Sequence, residues 1–367
     1  MTGEVLALAY SCRRREGRMK ESGQPRENRR VDADIPISAD RVLAGSGGTS
    51  RAGDRALAVG FVGFGRAGAA LAVAFADAGH RLVGVTTRSD ASAARVHRLL
   101  PGARPRPVAE LASLVDVLIL AVPDDMIALV ATEIAEAAEP AGPRAGSVVV
   151  HLSGRHGLAP LTPVAARGAA RAAVHPIMSL AGLDPAADAA HLRAATFGVT
   201  ADPAAAPIAR RLVADVGGRF VEVADEARTL YHAAIVFGAN YLAALAGASA
   251  DLLAAAGVTD ARAALAPLLR VSLDNALRDG DAATTGPVRR GDAGTVAAHL
   301  EALRAADPAV VPAYRALSRL AAGRLEAAGL LPARAATSLR ATLEASDPTD
   351  PTDSSVSSGA SNVSDEP

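Results

Sequence analysis

The sequence predicts a mainly parallel α/β domain followed by an all-α domain. Two observations lead there. Short apolar runs alternate with alanine-rich helical stretches from residue 56 to about 223, and beyond that point only the helical period continues. The length, 367 residues, suits about two domains plus tails at roughly 100 to 200 residues per domain. Strands that alternate with helices pair mainly in parallel, with both faces of the sheet covered.

In chain order, residues 1–54 read as a disordered extension: mixed charges, the run Cys12-Arg13-Arg14-Arg15 and a Gly/Ser stretch at 44–50, with no sustained period. The arginines follow the short apolar run Val5 to Tyr10, the reverse of a secretory signal. Strands are expected at 57–62, 81–86, 115–122, 147–152, 171–174, 194–200 and 219–223, within a domain spanning 55–223. Helices are expected near 225–256, 259–279, 293–306 and 308–328, within a second domain spanning 224–345. From Ser346 the chain is acidic, small and repetitive. Such a tail buries too little apolar area to offset the entropy of ordering.

Composition excludes several function classes. With 38 basic and 39 acidic side chains the formal charge is −1, which argues against a nucleic-acid or anionic-membrane binder. A single cysteine, Cys12, makes neither an internal disulfide nor a thiolate metal site, and a reducing cytoplasm fits. Lys20 is the only lysine, so a lysine ammonium acid or Schiff base in the folded body is excluded. His151 and His156 have no carboxylates or thiolates nearby in sequence to complete a metal shell, so no metal site is expected.

The first motif that carries chemistry is the run Leu57 to Val62 followed by GFGRAG at 63–68. It leaves an apolar strand, opens a helix and is succeeded by a second strand, the context that makes a GxGxxG pattern a Rossmann dinucleotide fingerprint. Gly63 permits the tight turn, Gly65 admits a pyrophosphate to the backbone, and Gly68 allows close helix-to-strand packing. The amides of Phe64, Gly65, Arg66 and Ala67 then surround an anion. Cofactor choice falls at the end of the second strand, where the chain reads Thr86-Thr87-Arg88-Ser89 rather than presenting a carboxylate. Arg88, with Thr87 and Ser89, suits a 2′-phosphate, which favours NADP(H); Asp90 facing the ribose is the other reading.

Ligands of open α/β sheets lie outside the carboxyl ends of the strands. Val122, Pro123 and Asp124 are therefore expected beside the cofactor, Asp124 serving equally as the N-cap of the helix from Asp125 rather than in catalysis, with Ser153 and Gly154 near the nicotinamide end.

The order of these motifs resembles a family of proposed oxidoreductases in which a Rossmann-like domain precedes a helical domain of unknown function. The family is distantly related to pyrroline-5-carboxylate reductase, prephenate dehydrogenase and ketopantoate reductase. The resemblance is carried by GFGRAG at 63–68, LAVPDD at 120–125, HLSG at 151–154, VHPIMSL at 174–180, YHAAIVFGANYLAAL at 231–245 and TGPVRRGDAGTVAAHL at 285–300. It implies a Rossmann-type doubly wound sheet followed by a domain like the C-terminal domain of 6-phosphogluconate dehydrogenase. It places His175 near the substrate cleft, where prephenate dehydrogenases show a similar His-Pro pair; a structural histidine bonded to backbone is the competing account. It also makes the segment around Thr285, Arg289 and Arg290 similar to the carboxylate-capturing loop of pyrroline-5-carboxylate reductase, although Asp292 capping a helix beside solvated arginines accounts for it equally.

On the first long helix, His232 and Asn240 are eight residues apart, about 80° around the axis and ~12 Å along it. His232 is a candidate general acid. Asn240, almost the only strongly polar residue of 233–250, is expected to bond substrate, cofactor or a neighbouring helix, because an unpartnered buried amide costs about 1–3 kcal/mol. A soluble helix apolar on every side is a core helix or a subunit interface, so a homodimer through this domain is expected and a membrane span is not. The resulting expectation is an NADPH-dependent reductase of a small carboxylated carbonyl compound, such as a 2-oxo acid of the ketopantoate type. His232, Asn240 and His175 are its candidate catalytic groups. The alternatives are an imine reductase, a prephenate- or arogenate-like dehydrogenase, and a non-catalytic NADP(H)-binding sensor or scaffold.

Overall fold

The computed structural model describes residues 55–87 and 89–345. The expectations for 1–54, for the acidic tail at 346–367 and for Arg88 lie outside the described residues.

Eight strands form one sheet. Through its first half the chain runs β1 (Ala58–Val62), α1 (Arg66–Asp77), β2 (Arg81–Thr86), α2 (Asp90–Leu99), β3 (Arg104–Pro105), α3 (Val108–Leu114), β4 (Val117–Leu120), α4 (Ile127–Glu136) and β5 (Val148–His151). There follow α5 (Thr162–Ala165), β6 (Ala170–Ile177), α6 (Pro185–Leu192), β7 (Thr196–Ala201), α7 (Ala206–Asp215) and β8 (Arg219–Glu222). The strand order is β3-β2-β1-β4-β5-β6-β7-β8. All pairs are parallel except β6 with β7. The chain winds outward from β1 to β3, then returns to β4 on the other side of β1. The ends of β1 and β4 therefore diverge, and a crevice opens between them.

β1, β4 and β5 are buried at every position, as sequences of Val, Ile and Leu in a doubly covered sheet should be. Alternate residues serve opposite faces: Val117 and Ile119 join one apolar cluster with α1 and α7, whereas Leu118 and Leu120 join the other with α3 and α4. Truncating one such Leu or Ile to Ala costs about 2–5 kcal/mol.

After β8 the chain is helical. Residues Asp225–Ala255 make one continuous helix of 31 residues, comprising a 3₁₀ turn, α8 (Arg228–Ile235), a π-helical segment Val236–Asn240 and α9 (Tyr241–Ala255). Then come α10 (Ala261–Asp279), α11 (Gly286–Arg290), α12 (Ala293–Ala306), α13 (Val311–Ala327) and α14 (Ala333–Glu344). The last four share a third core built on Val288, Val296, Leu300, Leu325 and Leu339.

All seven expected strands and four long helices are present. Two short or late elements are additions: β3, two residues long and flanked by prolines that read as loop, and α14. The 285–290 segment, expected as a loop, forms the single turn α11 because Pro287 suits a first helical turn. The π segment also breaks the regular 100° step on which the His232–Asn240 spacing was reckoned.

Candidate active site

Gly63 leaves β1 at φ +89°, and a Cβ there would lie 2.5 Å from the Ala121 carbonyl oxygen. No L side chain fits that turn. At Gly68 a Cβ would lie 2.7 Å from that of Ala121 and 3.1 Å from the Gly63 oxygen, so α1 approaches β4 as closely as it does only because Gly68 lacks one. Around the Cβ position of Gly65 nothing lies within 4 Å. The amides opening α1 face that space, with no side-chain cap and no acidic residue in the first turn.

A cleft of about 470 Å³ runs from this turn past the ends of β2 and β4, within the range of small-molecule sites. Gly63, Phe64, Gly65, Thr86, Thr87, Val122 and Pro123 line it. Open space over uncapped amides, walled by apolar side chains, fits a dinucleotide pyrophosphate and its adenosine. Ser89 does not line this cleft; its hydroxyl caps α2 by accepting the Ser92 amide at 3.2 Å. The lining also includes Ser92, Pro107, Val108, Val130 and Glu133, none of which a local motif announces.

A second cluster forms where β5, β6 and α8 meet. His151, wholly buried, donates from Nε2 to the Gly157 carbonyl at 2.7 Å and accepts the Ser153 amide at Nδ1 at 3.2 Å. Burial holds its pKa down at about 4, so it is a neutral strut that shapes the turn 151–157. Ser153 donates to Asp124 Oδ2 at 2.8 Å and accepts the amides of Arg155 and His156. Asp124 is therefore tied to the β5 turn and caps no helix, contrary to the expectation; Pro123 occupies the cap position. Asp225, at the start of the long helix, accepts the Leu158 amide at 2.9 Å. A Cβ at Gly157 would lie 1.4 Å from that carboxylate, so Gly157 makes room for the junction.

Gly154 has the same kind of reason. Its missing Cβ would lie 2.5 Å from His232 Cδ2 and 3.0 Å from His175 Nε2. The two imidazoles thus converge over one glycine, edge to face, with centroids 5.8 Å apart. His175 Nδ1 lies 2.9 Å from Tyr231 Oη. Burial, then the nearby His232 and Arg228, hold the His175 pKa down at about 4. It is neutral at neutral pH.

Arg228 underpins this cluster and was not anticipated. It is 1% exposed and donates to Thr200 Oγ1 at 2.8 Å, Ser153 O at 3.2 Å, Ala173 O at 2.8 Å and Gly198 O at 3.1 Å. All four acceptors are neutral. One guanidinium therefore joins β5, β6 and β7 to α8, and burial lowers its pKa against the opposing influence of Tyr231 and Asp225. In the sequence it is one arginine among many; only its place in the first turn of a helix leaving the sheet distinguishes it.

Of the proposed catalytic residues, His175 and His232 are brought together and Asn240 is not. Asn240 is exposed on the π segment, with no hydrogen bond to another described residue. The expectation of a buried amide fails for the single chain because residues 237–245 are all exposed. Nor does α11 join the cluster. It packs on α12 and α13, and Arg289 donates to the Leu330 carbonyl at 2.6 Å, so a free substrate-binding guanidinium is corrected to a structural tie. Arg290 is exposed, with Asp292 4.0 Å away. Asp292 caps α12 through the Thr295 amide at 2.9 Å, and Thr285 is exposed at the α11 N-cap.

The sheet order, the glycine turn and the crevice at the β1 and β4 ends define a Rossmann-like protein. Residues 45–176 match the Rossmann-like domain, and residues 195–321 match the domain of unknown function DUF2520. The chain is a Rossmann-like domain joined to a DUF2520 domain. The second match begins at the residue before β7, so the last two strands fall within it. No curated protein matches by sequence. Among solved structures, a proposed NADP oxidoreductase from Bacteroides fragilis aligns with TM-score 0.62 and 21% identity over 73% of this chain and 98% of its own. An imine reductase from Streptomyces aurantiacus gives 0.51 and 18% over 77% and 99%. A pyrroline-5-carboxylate reductase from Streptococcus pyogenes gives 0.50 and 15% over 73% and 99%. At these identities the likeness establishes the fold.

Proposed function

We propose that the protein is an NADP(H)-dependent reductase of a small carbonyl or imine compound bearing a carboxylate, such as a 2-oxo acid, acting in the cytoplasm. The observation that carries this reading is the convergence of His175 and His232 over Gly154, on the same edge of the sheet as the fingerprint turn at Gly63 to Gly68. In this reading the amides of Phe64 to Ala67 hold the pyrophosphate, Thr87 and Arg88 take the 2′-phosphate and ribose, and Val122, Pro123, Ser153 and Gly154 border the nicotinamide. The bound dinucleotide supplies a hydride to the electrophilic carbon. His175 or His232 gives a proton to the oxygen or nitrogen that gains charge, and Gly154 is the residue that lets the two rings come together. Holding the partners aligned supplies much of the rate.

A second copy of the chain belongs to the same reading. Residues 237–245 are apolar apart from Asn240 and Tyr241, yet exposed on every side of the helix. Leu268, Val271 and Leu277 on α10 are exposed too. A homodimer covers these surfaces and buries Asn240, and the exposed Thr285 and Arg290 remain the candidates for a carboxylate seat. The test is NADPH consumption with a panel of 2-oxo acids and cyclic imines. Tight NADPH binding without turnover of any of them would replace this reading with that of a non-catalytic NADP(H) sensor.

A further inference from the structure

We propose that Tyr231 is a positioning residue that fixes His175 as the tautomer with its proton on Nε2 and passes a proton through it to the substrate, an inference that rests on the reductase reading above. His175 Nδ1 meets Tyr231 Oη at 2.9 Å, and neither atom bonds any other described side chain. Tyr231 Oη is packed against Gly198, where a Cβ would lie 2.3 Å from it; burial raises the Tyr231 pKa, and Arg228 and the Gly198 backbone oppose that rise. Among the described residues, His175 Nδ1 is the acceptor placed for the phenolic hydrogen. A neutral imidazole that accepts at Nδ1 carries its hydrogen on Nε2.

That second nitrogen lies beside Gly154, 3.0 Å from where a Cβ would stand, and has no hydrogen-bond partner among the described residues. It is the imidazole hydrogen turned toward the reacting atoms. His232, edge to face with His175, bounds the space without bonding to it.

As hydride from a reduced nicotinamide dinucleotide reaches the substrate carbon, the carbonyl π pair moves to oxygen. The oxygen takes the Nε2 proton of His175, and Nδ1 takes the phenolic proton of Tyr231. The phenolate left behind is held by the Gly198 backbone and by Arg228, whose guanidinium carbon lies 5.6 Å from the Tyr231 ring centroid. Water returns the proton after product leaves. Arg228 thus has a second use beyond joining strands: it is the buried cation placed to receive that negative charge.

The experiment is ¹⁵N NMR of the histidine-labelled full chain at neutral pH, with and without NADPH, His175 being assigned by its loss in His175→Gln. The expected spectrum shows His175 unprotonated at Nδ1 and protonated at Nε2, and in Tyr231→Phe the signals move toward a mixture of tautomers. In turnover, Tyr231→Phe should lower kcat about 10²-fold, the lower end for general acid catalysis, with KM and NADPH affinity unchanged. A wild-type spectrum with the proton on Nδ1 overturns the relay, as does a Tyr231→Phe variant that keeps wild-type kcat. If the wild-type tautomer is as stated but no carbonyl or imine compound is turned over, it is the reductase reading that falls.

Discussion

Replacing Arg228 with Met removes the guanidinium while keeping most of the side-chain volume, and the cost follows from its partners. Three carbonyl oxygens, those of Ser153, Ala173 and Gly198, each lose a charged donor, and Thr200 loses one as well. An unsatisfied buried group costs about 1–3 kcal/mol. Carbonyls have two lone pairs, and Thr200 still donates to Val223 O, so the lower end applies to each of the four, about 4 kcal/mol in all. Against this stands relief from burying a cation whose acceptors are all neutral, because apolar replacements of buried charges are sometimes stabilising. The hydrogen-bond loss wins here since four separate groups depend on one side chain. Urea unfolding should therefore show Arg228→Met destabilised by about 2–4 kcal/mol, with Arg228→Lys intermediate because an ammonium cannot reproduce the fork geometry. A variant within about 0.5 kcal/mol of wild type, the ordinary range for an uninvolved surface site, would refute the claim that Arg228 holds the three strands to α8.

Other outcomes follow from the same geometry. His151 is neutral when folded, with a pKa near 4 against 6.5 when free. The unfolded chain therefore binds the extra proton between those values, and stability is full above about pH 6.5 and falls as pH drops toward 4. At about 1.4 kcal/mol per tenfold change in proton affinity the loss is on the order of 3 kcal/mol, His175 acts in the same direction, and His151→Gln should flatten the profile measured by urea unfolding across that window. Gly68→Ala forces α1 from β4, so calorimetric titration should show NADPH affinity at least about tenfold weaker, with ~1–3 kcal/mol of stability lost to overpacking; unchanged affinity would remove the fingerprint turn from the site. Light scattering should give wild-type protein twice the 37.0 kDa of one chain, and Phe237→Glu with Leu245→Glu should give the monomer; a monomeric wild type would leave the exposed helix unexplained.

The strand and helix pattern was legible because buried parallel strands and alanine-rich helices leave distinct periods, and the nucleotide turn because only glycine satisfies Gly63 and Gly68. Glycines carried more than the fingerprint suggested: Gly154 is fixed by His232 and His175 and Gly157 by Asp225, residues that lie 21 to 78 positions further along. Such long-range steric reasons leave no local signal. The roles of Arg228 and Tyr231 were hidden for the same reason, since what distinguishes them is the sheet edge they meet. Asn240 shows the reverse limit. Its isolation in an apolar helix predicted burial, but hydrophobicity alone does not say whether the covering surface comes from the same chain.

The central claim is that the crevice at the ends of β1 and β4 seats a nicotinamide dinucleotide carrying a 2′-phosphate. Parallel calorimetric titrations of the full chain with NADPH and NADH, repeated on Arg88→Ala, address it most directly. The account predicts one site per chain, tighter binding of NADPH, and loss of that preference in the variant. Binding of neither dinucleotide, or a clear preference for NADH, would contradict it.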